Sequence, residues 1–125
     1  MVPTSKIKLL NHHLAHAYSA LYFVDQKKTH LIFTLDAEGD NTCATVNRYE
    51  NGKLKQLSKV NKANSLGYLY REITGFLGMK PDEHEFKVMG LAPYADSRQV
   101  DRIKTKLKEL IWIDQNLEFK SSIPL

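Results

Sequence analysis

The sequence of 125 residues has very little cysteine and lacks any long apolar run. Its one cysteine, Cys43, cannot form an internal disulfide, which is typical of a reducing cytoplasm. No apolar stretch approaches the roughly 18 residues that a membrane span requires, and the first six residues lead into no apolar segment of a signal peptide. We therefore expect a cytoplasmic protein with no membrane partner.

The charge balance excludes little by itself, because the net charge is only +4. Hydrophobic residues make up 42% and charged residues 26%, as in ordinary globular domains. The basic residues are scattered, and no aromatic residue that could stack on a base lies within their densest group. We expect a solvated helix face there and no nucleic-acid partner. That group is Arg98, Arg102, Lys104, Lys106 and Lys108.

Apolar periodicity and turn residues predict an α/β fold. The first half predicts a strand over 6–10, a helix over 13–23, and strands over 30–35, 42–49 and 53–60, with a hairpin turn at Asn51-Gly52. The second half predicts a helix capped by Ser65 and running to residue 77, helices over 83–91 and from residue 96 or 97, and a strand over 117–119.

Three apolar patterns predict which side chains are buried. The run from residue 30 to 35 has the composition of a buried strand, although nothing upstream supplies a partner for the first strand. Leu14, Ala17, Tyr18, Leu21 and Tyr22 form the predicted core stripe of the first helix. Val100, Ile103, Leu107, Leu110 and Ile111 form that of the last helix.

Two histidines four residues apart indicate a candidate metal site. His12 and His16 lie on one helix face, turned away from the apolar stripe and flanked by small residues. Polar histidines on a solvent-exposed face are the more common interpretation of an isolated pair. His13 is a weaker candidate, placed to support the ligands or to contact a substrate.

Asp36 is the natural third ligand, because divalent metals often take two imidazoles and a carboxylate. It ends an apolar strand, where sheet proteins often bind ligands. Glu38, Gly39 and Asp40 follow as a loop that could approach a phosphate if a cation offsets the acids. An acidic, solvated turn is the equally weighted alternative.

A helix start at Ser65 is a second place where an anion could bind. Ser65 as a simple N-cap is the plainer interpretation, and Gly67 would open space for a ligand. Cys43 lies in a predicted strand without a histidine partner, which favours a buried structural thiol over a nucleophile. The sequence contains no phosphate-binding P-loop, dinucleotide glycine fingerprint or paired-cysteine zinc motif.

Four motifs follow one another along the chain: Asn11-His-His-Leu-Ala-His16, Leu35-Asp-Ala-Glu-Gly-Asp40, Ser65-Leu-Gly-Tyr-Leu-Tyr70 and Glu85-Phe-Lys-Val-Met-Gly-Leu-Ala-Pro-Tyr94. Together they resemble carbamoyltransferases of the nodulation and antibiotic O-carbamoylation type. The first three motifs are also similar to the related domain of the hydrogenase-maturation carbamoyltransferase and of the tRNA threonylcarbamoyl-transferring proteins. The resemblance covers about residues 7–95, and the last 30 residues carry no matching motif.

The resemblance implies a partial fold of the actin/hexokinase/Hsp70-like ATPase class. Residues 1–125 would be a single fragment of the carbamoyl-transferring domain, with 1–28 ending one subdomain and 29–125 opening the next. His12, His16 and Asp36 would bind a divalent metal, iron first and zinc or manganese as alternatives, together with an aspartate beyond Leu125. One departure is Ala37, since the family usually has Asp-Gly-x-Gly in this loop.

The resemblance also implies an ATP-dependent reaction. Carbamoyl-adenylate, made from carbamoyl phosphate and ATP, would pass its carbamoyl group to the hydroxyl of a small-molecule acceptor. His13 would be the catalytic base to test, and the cofactor-binding residues would be Glu38, Gly39, Asp40, Ser65 and Gly67.

On this interpretation the isolated chain is expected to be inactive, and its exposed half-cleft would favour self-association. The alternative is a non-catalytic binding module that retains the core of the fold. Metal stoichiometry, with and without the two histidines His12 and His16, separates the two hypotheses.

Overall fold

A computed structural model describes residues 7–116 and 118–122, and the fold is an antiparallel sheet combined with helices. This confirms the predicted α/β class. The strand order in the main sheet is β1-β2-β3, and β4 pairs with β5 in a second, two-stranded sheet. The elements are α1 (His12–Tyr22), β1 (His30–Gly39), β2 (Thr42–Glu50), β3 (Lys53–Asn61), α2 (Leu66–Phe76), α3 (Glu85–Leu91), α4 (Ser97–Leu110), β4 (Ile111–Ile113) and β5 (Phe119–Ser121).

Two tight turns build the main sheet. Asn51 and Gly52 both have positive φ, as type I′ hairpin turns require, so the predicted turn between β2 and β3 is confirmed. Asp40 and Asn41 also have positive φ and form a second turn of this kind between β1 and β2. Asp and Asn enter this conformation more readily than most residues, which explains a two-residue turn without glycine.

The end of β1 differs from the prediction, because the strand continues past Leu35 to Gly39. Pairing with β2 is regular as far as Leu35 opposite Ala44 and resumes at Gly39 opposite Thr42. The four residue steps from Leu35 to Gly39 on β1 therefore lie opposite only the two steps from Ala44 to Thr42 on β2. Such an irregularity redirects side chains locally, and here it contains Asp36 and Glu38, which the sequence assigned to a turn.

Helix α1 packs on the sheet through one narrow face. Its buried residues are His13, Ala17 and Leu21, and the latter two contact Ile32 and Tyr49. The predicted stripe was therefore only partly right, because Leu14, Tyr18 and Tyr22 are exposed. The helix is rotated toward His13 because polar groups on the inner face of the sheet hydrogen-bond its ring.

The expected strand over 6–10 is wrong for the residues that the structure describes. Residues 7–10 form no strand and are exposed, while Lys6 lies outside the described residues. A strand needs a partner, and none lies beside this segment in the described part of the chain. The β1 run was also expected to be buried, yet Leu31, Phe33 and Leu35 are 55–65% exposed on the face away from α1.

The second half contains the predicted helices with shifted limits. Ser65 and Asp96 cap α2 and α4, and α3 begins at Glu85 instead of residue 83, after the left-handed backbone of Asp82. The predicted core face of α4 is at least partly exposed at Val100, Ile103 and Leu107.

Strand β4 was not predicted, because its residues continue the apolar pattern of α4. The last strand lies at Phe119–Ser121 instead of 117–119, and Leu117 falls outside the described residues. No helix among the described residues has the length and apolar character to cross a bilayer.

Candidate metal centre

Three potential metal ligands meet where the first turn of α1 faces the irregular end of β1. Nε2 of His12 lies 2.8 Å from Oδ2 of Asp36, and Nε2 of His16 lies 3.3 Å from the same oxygen. The two Nε2 atoms are 3.0 Å apart. The three side chains remain 37–52% exposed, so solvent and small molecules have access to the cluster.

The donor set fits a divalent metal. A point about 2.1 Å from all three atoms exists, and this is the ordinary length of a bond from such a metal to nitrogen or oxygen. Nε2 of His12 carries at most one proton, which it cannot donate to Asp36 and His16 at once. A cation would satisfy all three lone pairs together, which hydrogen bonds alone do not.

The carboxyl group of Asp36 is ionised, which is the state that metal binding requires. The hydrogen bond from His12 is the main cause that lowers the pKa of its carboxyl below the ordinary 3.8, with a smaller contribution from the Ala37 backbone N–H and opposition from partial burial. The carboxylate is therefore ionised near neutral pH. Its other oxygen, Oδ1, accepts the bond from Ala37 at 2.7 Å, which fixes the orientation of the group.

Gly39 and Asp40 hold the start of α1. A Cβ on Gly39 would lie 2.1 Å from Cδ2 of His12, so only glycine lets this imidazole rest against the strand. Oδ2 of Asp40 accepts hydrogen bonds from the backbone N–H of His12 at 2.7 Å and from Asn11 Nδ2 at 2.9 Å. That both residues bind a cofactor stays a prediction, and the contacts that the structure shows position His12.

Ser65 and Gly67 join α2 to β1 in a similar way. The fully buried Ser65 donates to the carbonyl of Ala37 at 2.7 Å and accepts from the N–H of Tyr68 at 3.3 Å, so it is an N-cap that also binds the strand. A Cβ on Gly67 would lie 2.7 Å from Cα of Ala37. The backbone of α2 therefore touches the residue that follows Asp36, and an ordinary side chain at position 67 would separate them.

Glu38 points away from the three ligands. Its carboxylate accepts from the Tyr68 hydroxyl and, at 3.0 Å, from Lys62 Nζ. These bonds, with Tyr68 first, lower the pKa of Glu38, and the same carboxylate raises the pKa of Tyr68 and of Lys62. Glu38 is thus ionised and already bonded to two partners. The geometry therefore does not favour a contact between Glu38 and a phosphate.

His13 lies on the adjacent, buried side of α1, with its ring centre 5.3 Å from that of His12 and 6.2 Å from that of His16, and is only 2% exposed. Its Nδ1 is 2.7 Å from Thr34 Oγ1, and its Nε2 is 2.9 Å from the carbonyl oxygen of Thr42. The role of catalytic base stays a prediction. Because both ring nitrogens already have buried partners, the geometry favours a structural role.

Several residues near the centre were not found by sequence reasoning. Thr34, Thr45 and Asn47 are buried around His13, and Lys62 pairs with Glu38. Polar residues at inward positions of a strand are a usable signal for the first three. Cys43 was expected to be a buried thiol, and this is confirmed, with burial raising its pKa.

A cleft of about 560 Å³ opens beside Asp36, between β1 and the helices α2 and α3. Arg71 lies in its wall, with Nε 3.0 Å from Oδ2 of Asp82. The cleft borders the carboxylate-bearing residue of the cluster, so a molecule in it could reach the metal position. Its lining includes Asp36, Ala37, Gly67, Tyr68, Arg71 and Glu85.

Comparison with known proteins identifies the family of the chain. The family model described as carbamoyltransferase N-terminus matches residues 2–123. Nodulation protein NolNO of Sinorhizobium fredii is 38% identical over 95 residues, covering 76% of this chain and 14% of the relative. Nodulation protein NolO of Bradyrhizobium diazoefficiens is 33% identical over 102 residues, covering 82% and 18%.

An uncharacterized protein of Methanocaldococcus jannaschii is 32% identical over 83 residues, covering 66% of this chain and 16% of the relative. The chain therefore spans less than a fifth of the length of these three relatives. Since the family model covers nearly all of it, the chain belongs to the carbamoyltransferase N-terminus family.

Proposed function

We propose that this chain carries the metal-binding part of the active centre of an ATP-dependent carbamoyltransferase. In this reaction a carbamoyl group passes from carbamoyl-adenylate, made from carbamoyl phosphate and ATP, to the hydroxyl of a small acceptor. The observation that carries the proposal is the convergence of two imidazole nitrogens and one carboxylate oxygen within 4.8 Å. Family membership supplies the reaction class.

His12, His16 and Asp36 are the proposed ligands of a divalent metal, with iron first and zinc or manganese as alternatives. When bound, such an ion supplies Lewis-acid stabilisation of negative charge on an acyl phosphate. The chain itself contributes orientation. Gly39 lets the His12 ring rest against β1, and the Ala37 N–H turns the Asp36 carboxylate toward both imidazoles.

The cleft beside Asp36 is the proposed place for the nucleotide end of carbamoyl-adenylate. Gly67 and the first turn of α2 line it, and the amino end of a helix suits an anionic group. Ser65 fixes that turn to Ala37, which sets the distance between the cleft and the ligands. The strand-and-helix arrangement is proposed to form part of an actin/hexokinase/Hsp70-like ATPase fold.

Metal titration tests this proposal. We expect the wild-type chain to bind one Co²⁺ or Zn²⁺ in isothermal titration calorimetry. Replacing both His12 and His16 by alanine is expected to weaken binding by at least about 100-fold, because two of three protein ligands are lost.

The matched control removes two histidines that lie outside the centre. His30→Ala combined with His84→Ala should leave the affinity and stoichiometry unchanged, since these rings contact Asp25 and Lys80 instead. Equal binding by the His12/His16 double variant and the wild type would contradict the proposal. The alternative of a non-catalytic binding module would then be favoured.

A further inference from the structure

A buried hydrogen-bond network runs from the centre of the sheet to α1. Asn47 Nδ2 lies 2.7 Å from Thr45 Oγ1, which lies 2.7 Å from Thr34 Oγ1, which lies 2.7 Å from His13 Nδ1. All four residues are at most 6% exposed. We call these four residues the His13 network.

The chemistry of the His13 network fixes the direction of each bond. The Thr42 carbonyl can only accept, so His13 in its neutral form would carry its proton on Nε2 and accept on Nδ1. Thr34 must then donate to His13 and accept from Thr45, and Thr45 accepts from Asn47. One arrangement of protons satisfies every hydrogen bond along this path. The network therefore strongly determines the orientation of α1 at His13.

We propose that the residues of the His13 network are positioning residues for the metal ligands. This inference rests on the proposed function, because it concerns the same centre. His13 lies between the proposed ligands in sequence, and its ring centre is 5.3 Å from that of His12 and 6.2 Å from that of His16. Fixing the His13 ring therefore fixes the rotation of the helix. That rotation determines where the Nε2 atoms of His12 and His16 stand relative to Asp36.

The required accuracy shows why such a network matters. The Cα atoms of a helix lie about 2.3 Å from its axis and an imidazole reaches several ångströms further, so a rotation of about 10° moves Nε2 by about 1 Å. Metal–ligand distances tolerate only about 0.2 Å. The contacts within the metal cluster are exposed and therefore weak restraints. The buried His13 network beside these ligands is the stronger restraint.

Thr34→Val tests this inference, because it keeps the shape of the side chain and removes the hydroxyl that binds His13. The matched control is Thr74→Val, at a fully buried threonine whose hydroxyl bonds only within α2, to the carbonyl of Tyr70. Thr34→Ser, which restores the hydroxyl, is the conservative variant. Each protein is examined for its Co²⁺ dissociation constant and visible Co²⁺ spectrum. Without metal, the nuclear Overhauser effect between the His12 ring and the Gly39 Hα is measured.

We expect Thr34→Val to weaken Co²⁺ binding by about tenfold or more, to alter the spectrum and to reduce the metal-free Overhauser effect. Thr34→Ser and Thr74→Val should behave as the wild type. The inference is overturned if Thr34→Val retains the wild-type Overhauser effect, or if Thr74→Val loses as much as Thr34→Val. Absence of Co²⁺ binding by the wild type would contradict the proposed function, and the metal-free measurement would still decide the positioning of His12.

Discussion

His13 lies between His12 and His16 in sequence, yet its surroundings are the opposite of theirs. The His13 ring is buried and has a partner on each nitrogen. The other two rings are 41% and 52% exposed and converge on one carboxylate oxygen. The same side chain on the same helix thus serves as scaffold on one face and as candidate ligand on the other.

The buried face of α1, which carries His13, and the exposed ligand face, which carries His12 and His16, have different roles. Hydrogen bonds in a buried network are strong and costly to break, whereas exposed pairs contribute little to stability. The ligand face is therefore free to bind, because the buried face holds α1 in place. Breaking the buried face should lower stability and also disturb binding, whereas breaking the ligand face should alter mainly binding.

The largest expected effect is on stability. His13→Ala should lower the free energy of unfolding by about 3 kcal/mol, since it opens a cavity and removes two buried hydrogen bonds of the ring, to the Thr34 hydroxyl and to the Thr42 carbonyl. Urea denaturation followed by circular dichroism measures this change. His16→Ala, on the exposed face, should stay within about 0.5 kcal/mol of the wild type. Equal losses of unfolding free energy in His13→Ala and His16→Ala would contradict the different roles of the two faces of α1.

A smaller effect is expected where the strand touches the ligand face. Gly39→Ala places a Cβ inside the His12 ring and should displace that ligand, weakening Co²⁺ binding by about tenfold. Gly52→Ala is the control, because its Cβ meets no atom within 4 Å while its φ of +75° costs about 1 kcal/mol of stability. Calorimetric titration should separate them, and an unchanged affinity in Gly39→Ala would show that His12 has another stable position.

The smallest effect is the loss of the contribution of Asp36 to the free energy of unfolding at acid pH. Its pKa is lowered mainly by the hydrogen bond from His12, so its stabilising contribution is complete above about pH 4 and is lost as the pH falls through the folded-state pKa. The difference in unfolding free energy between wild type and Asp36→Asn should shrink over that range. Because the carboxylate is 37% exposed, the difference stays below about 1 kcal/mol.

A double-mutant cycle isolates this interaction. In a His12→Ala background with chelator present, Asp36→Asn should lose most of its pH-dependent effect, since the main cause of the lowered pKa is gone. An undiminished effect in that background would assign the lowered pKa to the Ala37 N–H or His16 instead.

Part of this architecture could be predicted from local patterns. The spacing of His12 and His16 places both rings on one helix face, Asn51-Gly52 specifies a hairpin turn, and Ser65 is a preferred N-cap. Each depends on residues that are near in sequence. The failures involve partners that are distant in sequence, such as those that determine the burial of β1 and α4.

The sequence by itself determined the kinds of candidate ligand, their spacing on α1 and the order of the elements from α1 to α4. Tertiary structure alone decided that α1 turns His13 inward, because Thr34, Thr45 and Asn47 come together only when β1 pairs with β2. It also decided that Asp36 faces the histidines and Glu38 faces Lys62, because the irregular pairing of β1 changes the alternation that the sequence implies. Local preferences act within a few residues, whereas the contacts of His13 with Thr34, of His12 with Asp36 and of Glu38 with Lys62 join residues that lie 21 to 24 positions apart.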